Sequence, residues 1–222
     1  MSAELTVVTP HFGDAVAACG ELIAAHPGAI VVTVFAAIPS DSFVVPEWDA
    51  ACGFASPQQA VTARRREDRG ALDALDAEPC WLACRDSLYR RTGERTQSVA
   101  MRISRALRRR ASQRIAIPLG LVAGDHDLAH AAALTIVRRR PDVEWVLYED
   151  GAAGEEVVAR RVDLLGKRLA LEPYALAPDP WRHYRKRRAL ECYESLLRGC
   201  AASGRAVPGL SGDAERYWIV RP

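Results

Sequence analysis

The sequence predicts an α/β fold built on a mostly parallel central sheet. Short β-branched runs alternate along the chain with segments of helical period, which is the pattern of repeated β–α units. The run "AIVVTVFAA" at 29–37 is apolar with little alternation, as expected of a strand covered on both faces. The chain has 222 residues, 49% hydrophobic and 26% charged. That is enough to bury a core without disulfide or metal staples, and we read it as a single domain over 1–222.

The elements follow in order. "LTVVTP" is an apolar run ended by Pro10, the first strand. Val16, Cys19, Gly20, Ile23 and Ala24 then recur at i, i+3, i+4, i+7 and i+8, one face of a helix. "HPG" at 26–28 stops it, and 29–37 is the second strand. A long loop spans 38–57, and loops of that length are often functional. In "SPQQAVTARRREDRGALDALDA", Ser56 caps a helix, Pro57 suits its first turn, and Gln59 completes a capping box. "EPCWLA" is a short strand, "TQSVAMRISRALRRR" a helix, "RIAIPLGL" a strand, "HDLAHAAALTIVRRR" a helix ended by Pro141, and "VEWVLYED" a strand. The stretch "VVARRVDLLGKRLALEPYAL" fits a helix, a strand or both. "PWRHYRKRRALECYESLLRGC" reads as one helix with Pro180 near its start, and "PGLSGDAERYWIVRP" closes the chain with an apolar segment.

A net charge of +2 sets up no global field that recruits nucleic acid. The basic clusters at 64–66, 108–110, 138–140 and 185–188 read as solvated helix faces. They lack interleaved aromatics, so no nucleic-acid partner is expected. No apolar run is long enough to cross a bilayer, and the N-terminus has no basic, apolar signal pattern. The expectation is a cytosolic protein without a membrane partner. Its six cysteines are then reduced structural thiols. Cys80 and Cys84 lack the spacing of a zinc ribbon.

In an open α/β sheet, ligands bind beyond the carboxyl ends of the strands. "TPHFGDAV", "IPLGLVAGDH" and "YEDGAA" all fall at such ends. His11 and Asp14 lie on one tight turn, and His126 follows a later strand. Two imidazoles and a carboxylate suit zinc and leave positions open for water and substrate. His126 and His130 compete as an i, i+4 pair on one helix face, but Asp127 stands where helical zinc motifs carry a general-base Glu.

The opening "VVTPHFGDAVAACGELIAAHPGAIVVTVFA" resembles that of the PIG-L/LmbE-like zinc-dependent N-deacetylases, with their Pro-His-x-Asp-Asp turn and Cys-Gly helix. The resemblance continues collinearly through "WDAACGF", "RREDRGALDALDA", "RDSLYRR", "PLGLVAGDHDLAH", where the family has His-x-Asp-His, "YED" and "KRRALECYES". It implies a Rossmann-like three-layer sandwich and a zinc site made by His11, Asp14 and His126. Another divalent metal would suit the same donors. It also implies substrate contacts from Arg64 and Asp86, and removal of an acetyl group from an N-acetylated amino sugar or conjugate. Read without the resemblance, Arg64 is one of three exposed arginines and Asp86 a cap.

Two departures bear on activity. Gly13 stands where the family keeps its general-base Asp, and Ala123 where it keeps the first His of His-x-Asp-His, which assists the developing oxyanion. Asp125 remains, a supporting carboxylate without the imidazole it would orient. Leu196 replaces the Gln usual after Tyr-x-Ser. Losing a general base costs about 10²–10⁴-fold and losing an oxyanion donor about 10²–10³-fold, though such losses do not add. Two readings follow: a metal-dependent deacetylase-like hydrolase whose base has moved, with His130, Glu149 and Asp150 as candidates, or a degenerate relative that binds a sugar-like ligand or a protein partner. The loop at 38–57 and the segment 151–180 are expected to line the pocket.

Overall fold

The computed structural model describes residues 4–40, 44–109, 112–151, 153–210 and 214–221. Seven strands form one sheet in the order β3-β2-β1-β4-β5-β7-β6. β1 (Leu5–Thr9), β2 (Ile30–Thr33), β3 (Glu78–Trp81), β4 (Arg114–Pro118) and β5 (Glu144–Tyr148) pair in parallel. β7 (Tyr217–Arg221) inserts antiparallel between β5 and β6 (Ala170–Tyr174). The closing apolar segment is thus an internal strand.

Alternate residues of the central strands feed two cores, which is why these runs lack a polar face. Val8, Ile30, Val32, Ile115, Ile117 and Leu147 pack under α4 (Thr96–Arg108), α5 (Asp125–Val137) and α6 (Glu155–Gly166). Leu5, Val7, Val31, Ala116 and Val146 pack under α1 (Asp14–Ala24), α3 (Pro57–Asp73) and α7 (Pro180–Glu191). The three-layer expectation holds. Each deeply buried Val, Leu or Ile side chain contributes about 1.5–3 kcal/mol.

Several expectations at the element level are refined. β2 is shorter than 29–37: beyond Thr33 the chain continues as Val34 and Phe35, whose N–H groups bond Thr9 O and Pro10 O. The loop 38–57 contains a five-residue helix, α2 (Glu47–Ala51). Ser56 caps α3, its hydroxyl accepting Gln59 N at 3.1 Å, and Gln59 Oε1 accepts Ala55 N at 2.8 Å. The stretch 154–174 holds both a helix and a strand, α6 and β6.

The predicted helix over 180–200 is two helices, α7 and α8 (Glu194–Ser203), broken at Tyr193 with φ −86° and ψ 62°. Tertiary bonds cause the break. Tyr193 OH donates to Asp68 at 2.8 Å, and Ser195 donates from both N and Oγ to Glu67 at 2.9 and 2.6 Å.

The reading of every basic cluster as solvated also fails in two places. Arg64 and Arg65 turn inward, Arg64 to Asp49 and Arg65 to Ala36 O. Lys186 is buried and pairs with Glu215 at 2.8 Å. Arg108, Arg109, Arg138 and Arg139 are exposed as expected. Arg110 lies outside the described residues.

The six cysteines are free thiols, Cys19, Cys52, Cys84 and Cys200 of them buried. Burial pushes the Cys84 thiol up to about 11, as expected of an inert structural thiol.

Candidate metal centre and its cavity

The strand order reverses direction beside β1, with β2 on one side and β4 on the other. A crevice opens at such a switch point. The β1–α1 turn and the β4–α5 turn both end there, so residues 115 positions apart in the chain meet.

At the first turn Gly13 takes φ +86°, a conformation that favours glycine. It lets His11 and Asp14 face the same space. His11 N donates to Asp14 Oδ2 at 3.1 Å, and His11 Nδ1 lies 3.3 Å from the same oxygen. His126 Nε2 approaches it from α5 at 3.5 Å. The donor atoms of His11, Asp14 and His126 lie within 4.8 Å of one another, a grouping able to hold a metal ion.

The outer nitrogen of each imidazole meets a buried carboxylate. His126 Nδ1 donates to Asp150 at 2.7 Å, and Asp150 also accepts Gly120 N at 2.6 Å. His11 Nε2 donates to Asp125 at 3.2 Å. Asp125 further accepts Ser87 N at 2.9 Å and pairs with Arg90. Such partners fix the ring orientation and tautomer of metal-binding histidines. Asp125 therefore does orient an imidazole, that of His11. Neither Asp150 as a partner of His126 nor Arg90 as a partner of Asp125 was singled out from sequence. "YED" at the end of β5 was the available signal for Asp150; nothing in the spacing marks Arg90.

The electrostatics are those of imidazoles set among carboxylates. Burial lowers the His11 pKa, but hydrogen bonds to Asp125 and Asp14 and the charge of Asp86 push it up to about 10. Burial raises the Asp14 pKa, but His11 and His126 bring it below the usual carboxylate value. Asp125 likewise ends well below that value: burial is outweighed by His11, Arg90 and Ser87 N.

A cavity of about 290 Å³ opens beside this cluster. His11, Asp14, Asp86, Arg64 and Glu67 line it together with Phe12, Trp48, Tyr89, Tyr193 and Leu196. Arg64 and Asp86 both reach the cavity, with different freedom. Arg64 NH2 bonds Asp49 Oδ1 at 2.6 Å, and its NH1 donates to Tyr89 OH at 2.9 Å, which in turn donates to Asp49 Oδ2 at 2.7 Å. Asp49 is fully buried in α2, so this triad fastens α2 to the cavity wall. Asp86 Oδ2 stands 3.6 Å from His11 Nε2 while Oδ1 caps the 3-10 turn at 87–89 through Leu88 N at 2.8 Å. Asp86 thus lines the cavity and caps the 3-10 turn at once.

Three expectations about this region change. His130 points into the core, its Nδ1 donating to Pro118 O at 2.7 Å, with burial lowering its pKa. Glu149 is held by Arg216, outside the cavity. Among the described residues, the segment 151–180 supplies none of the cavity's lining, while 38–57 supplies Trp48. Neither His130 nor Glu149 lines the cavity: His130 lies on the buried face of α5, and Glu149, just past β5, is paired with Arg216.

Two of the departures noted in the sequence, Gly13 and Leu196, are adjacent in space. A Cβ on Gly13 would lie 3.7 Å from Leu196 Cδ2 and 3.8 Å from the Tyr193 ring. An apolar wall thus stands beside position 13, which carries no carboxylate. Ala123 is exposed in the turn before α5.

No protein-family profile and no curated protein matches the sequence. Solved structures do. The chain is similar to the A40926 pseudoaglycone deacetylase, at 20% identity over 99% of this chain and 97% of that one, with a TM-score of 0.77. It is similar to the zinc-inhibited form of a teicoplanin deacetylase, at 22% identity over 98% and 97%, TM-score 0.71. It is also similar to the 4-carboxy-2-hydroxymuconate hydratase of Pseudomonas putida, at 18% identity over 100% and 97%, TM-score 0.62. At these identities the likeness establishes the fold: an α/β sandwich shared with deacetylases and with a hydratase.

Proposed function

We propose that this protein is a metal-dependent amide hydrolase that removes an acyl group from an N-acylated amino sugar or its conjugate. One observation carries the reading: His11, Asp14 and His126 converge at the edge of a cavity, and each imidazole is braced by a buried carboxylate. The donor set fits zinc, with positions left open. The deacetylases of like fold support the reaction class. The hydratase of like fold means that the site, not the fold, must carry the argument.

A divalent metal held there would supply Lewis-acid polarisation of an acyl oxygen and acidify water. The chain's own residues do the rest. Asp125 and Asp150 hold the two imidazoles so that Nδ1 of His11 and Nε2 of His126 face Asp14. Phe12, Trp48 and Tyr89 give the cavity apolar walls that displace water from a bound acyl group. Asp86 and Glu67 are the cavity carboxylates outside the donor set, Glu67 held by Ser195 and Asp86 by Leu88 N. Arg64 shapes the wall through Asp49 and Tyr89, with substrate contact left to its remaining N–H groups. The test is hydrolysis by metal-replete protein across a panel of N-acetyl amino sugars, read by release of the amine. Absence of turnover on every member overturns the reading.

A second reading is favoured by a specific observation. Gly13 offers no carboxylate and faces Leu196 and Tyr193, and Ala123 offers no imidazole. In this reading the protein binds a sugar-like ligand or a protein partner without catalysis. Gly13→Asp combined with Ala123→His separates the two. A large gain over an inert parent supports the degenerate site. An active parent that gains nothing removes it, after a melting curve has shown that the φ of +86° at position 13 tolerates the new side chain.

A further inference from the structure

The outer face of α4 and α5 carries a charge that the catalytic reading leaves unused. The two helices pack side by side on one face of the sheet. Both are crossover helices antiparallel to the strands, so they run in the same direction and end at the same edge. α4 turns Val99, Ile103 and Leu107 inward and presents Met101, Arg102, Arg105, Arg108 and Arg109 to solvent. Their spacing makes one stripe, about 12 Å long at helical rise. At the end of α5, Arg138 and Arg139 are exposed as well. From Arg95 to Gly124 the chain contains no Asp or Glu, and from Leu128 to Pro141 it again contains none. The acids flanking this edge, Asp142 and Glu144, are taken by Arg140 and Arg114. Among the described residues, Arg102, Arg105, Arg109, Arg138 and Arg139 have no ion-pair partner. None of these residues lines the cavity.

We propose that this arginine face docks the protein on an anionic phospholipid surface. Clustered like charges repel one another, and an anionic surface relieves that repulsion. The guanidinium fork matches phosphate oxygens. Several basic side chains on an amphipathic helix form the pattern that reads anionic headgroups. Met101, 66% exposed within the same stripe, adds an apolar side chain that enters the headgroup layer. Nucleic acid fits less well. The stripe has no aromatic side chain on which bases stack, and two helices lying side by side present no single element to a groove. Read from sequence, the clusters at 108–110 and 138–140 are separate solvated faces and no membrane partner is expected; the packing of α4 on α5 brings their described arginines onto one surface.

The test is co-sedimentation of the full chain with vesicles at physiological salt. Phosphatidylcholine vesicles containing phosphatidylglycerol should bring the protein down, pure phosphatidylcholine should not, and high salt should release it. Arg105→Gln together with Arg109→Gln should lower the partition coefficient by about fivefold per arginine removed. Arg138→Gln with Arg139→Gln tests the second helix independently, and a melting curve confirms that both variants fold. The proposal is overturned by no binding to the anionic vesicles, by equal binding to neutral ones, or by variants that bind like the parent. Tight binding to duplex DNA without vesicle binding overturns it in favour of a nucleic-acid surface.

Discussion

At the residue scale, the candidate centre is defined by what stands behind its donors. Asp150 is fully buried and holds His126 from the side away from Asp14. Asp150→Asn should weaken metal affinity by about 10–100-fold, as removal of a supporting carboxylate does, measured by chelator competition on folded protein. Unchanged affinity would mean that His126 is not a ligand. Asp49 plays a different part. Burial lowers the Arg64 pKa, but Tyr89 and Asp49 outweigh it and hold the guanidinium firmly charged. Asp49→Ala leaves that charge without its partner and should cost about 3–5 kcal/mol in urea unfolding. The arginine register at 64–66 was ambiguous in sequence because all three share one chemistry. Arg64 turns inward to a carboxylate fifteen positions earlier in a separate helix, and Arg65 to a backbone carbonyl past β2.

At the element scale, α1 is kinked. Cys19 departs from helical geometry at φ −136° and ψ 16°, which frees backbone N–H groups one turn later. The Glu215 carboxylate accepts Glu21 N at 3.0 Å and Leu22 N at 3.3 Å, and Lys186 neutralises it at 2.8 Å. Gly20 sits where the lysine stem passes: a Cβ there would lie 2.6 Å from Lys186 Cγ. Lys186→Met should therefore cost about 3–5 kcal/mol by stranding a buried carboxylate. Adding Glu215→Gln should recover part of the loss, a coupling that a double-mutant cycle reads directly. The helical period of 16–24 was legible in sequence. Its kink was not, because the compensating acceptor arrives from the segment before β7. The break between α7 and α8 has the same origin: period and propensity favour continuation through Tyr193, and bonds to Glu67 and Asp68 on α3 end it.

At the scale of the whole molecule, Asp68 joins four parts of the chain. It accepts from Trp81 Nε1 at 2.8 Å on β3 and from Tyr193 OH at the α7–α8 junction, and the Gly13 N–H of the first turn faces it and favours its charged form. Burial raises its pKa, the three donors and Arg69 pull it back, and it settles at about 6 against an ordinary 3.8. A carboxyl whose folded pKa is raised adds stability that is fully present below pH 3.8 and is lost as pH rises through about 6. That window spans about 3 kcal/mol. Asp68→Asn should abolish this part of the pH dependence, so the difference in unfolding free energy between parent and variant should change across pH 4–6 and level off above it. A difference that stays flat across the window would remove Asp68 as a titrating tie.

The sequence by itself determined the layer architecture, because β-branched runs and 3.6-residue periods are local properties that survive without knowledge of partners. It also supplied His11, Asp14 and His126 as residues at strand ends, together with the departures at Gly13 and Ala123. Only the tertiary structure decided what each side chain faces. Asp125 serves His11, Asp150 serves His126, Arg64 is tied to Asp49, and His130 belongs to the core. The arginines of two helices become one surface in the same way. Each of these pairings joins different elements: β1 beside β4 brings His11 to Asp125, β5 beside β4 brings Asp150 to His126, and helix packing supplies the rest.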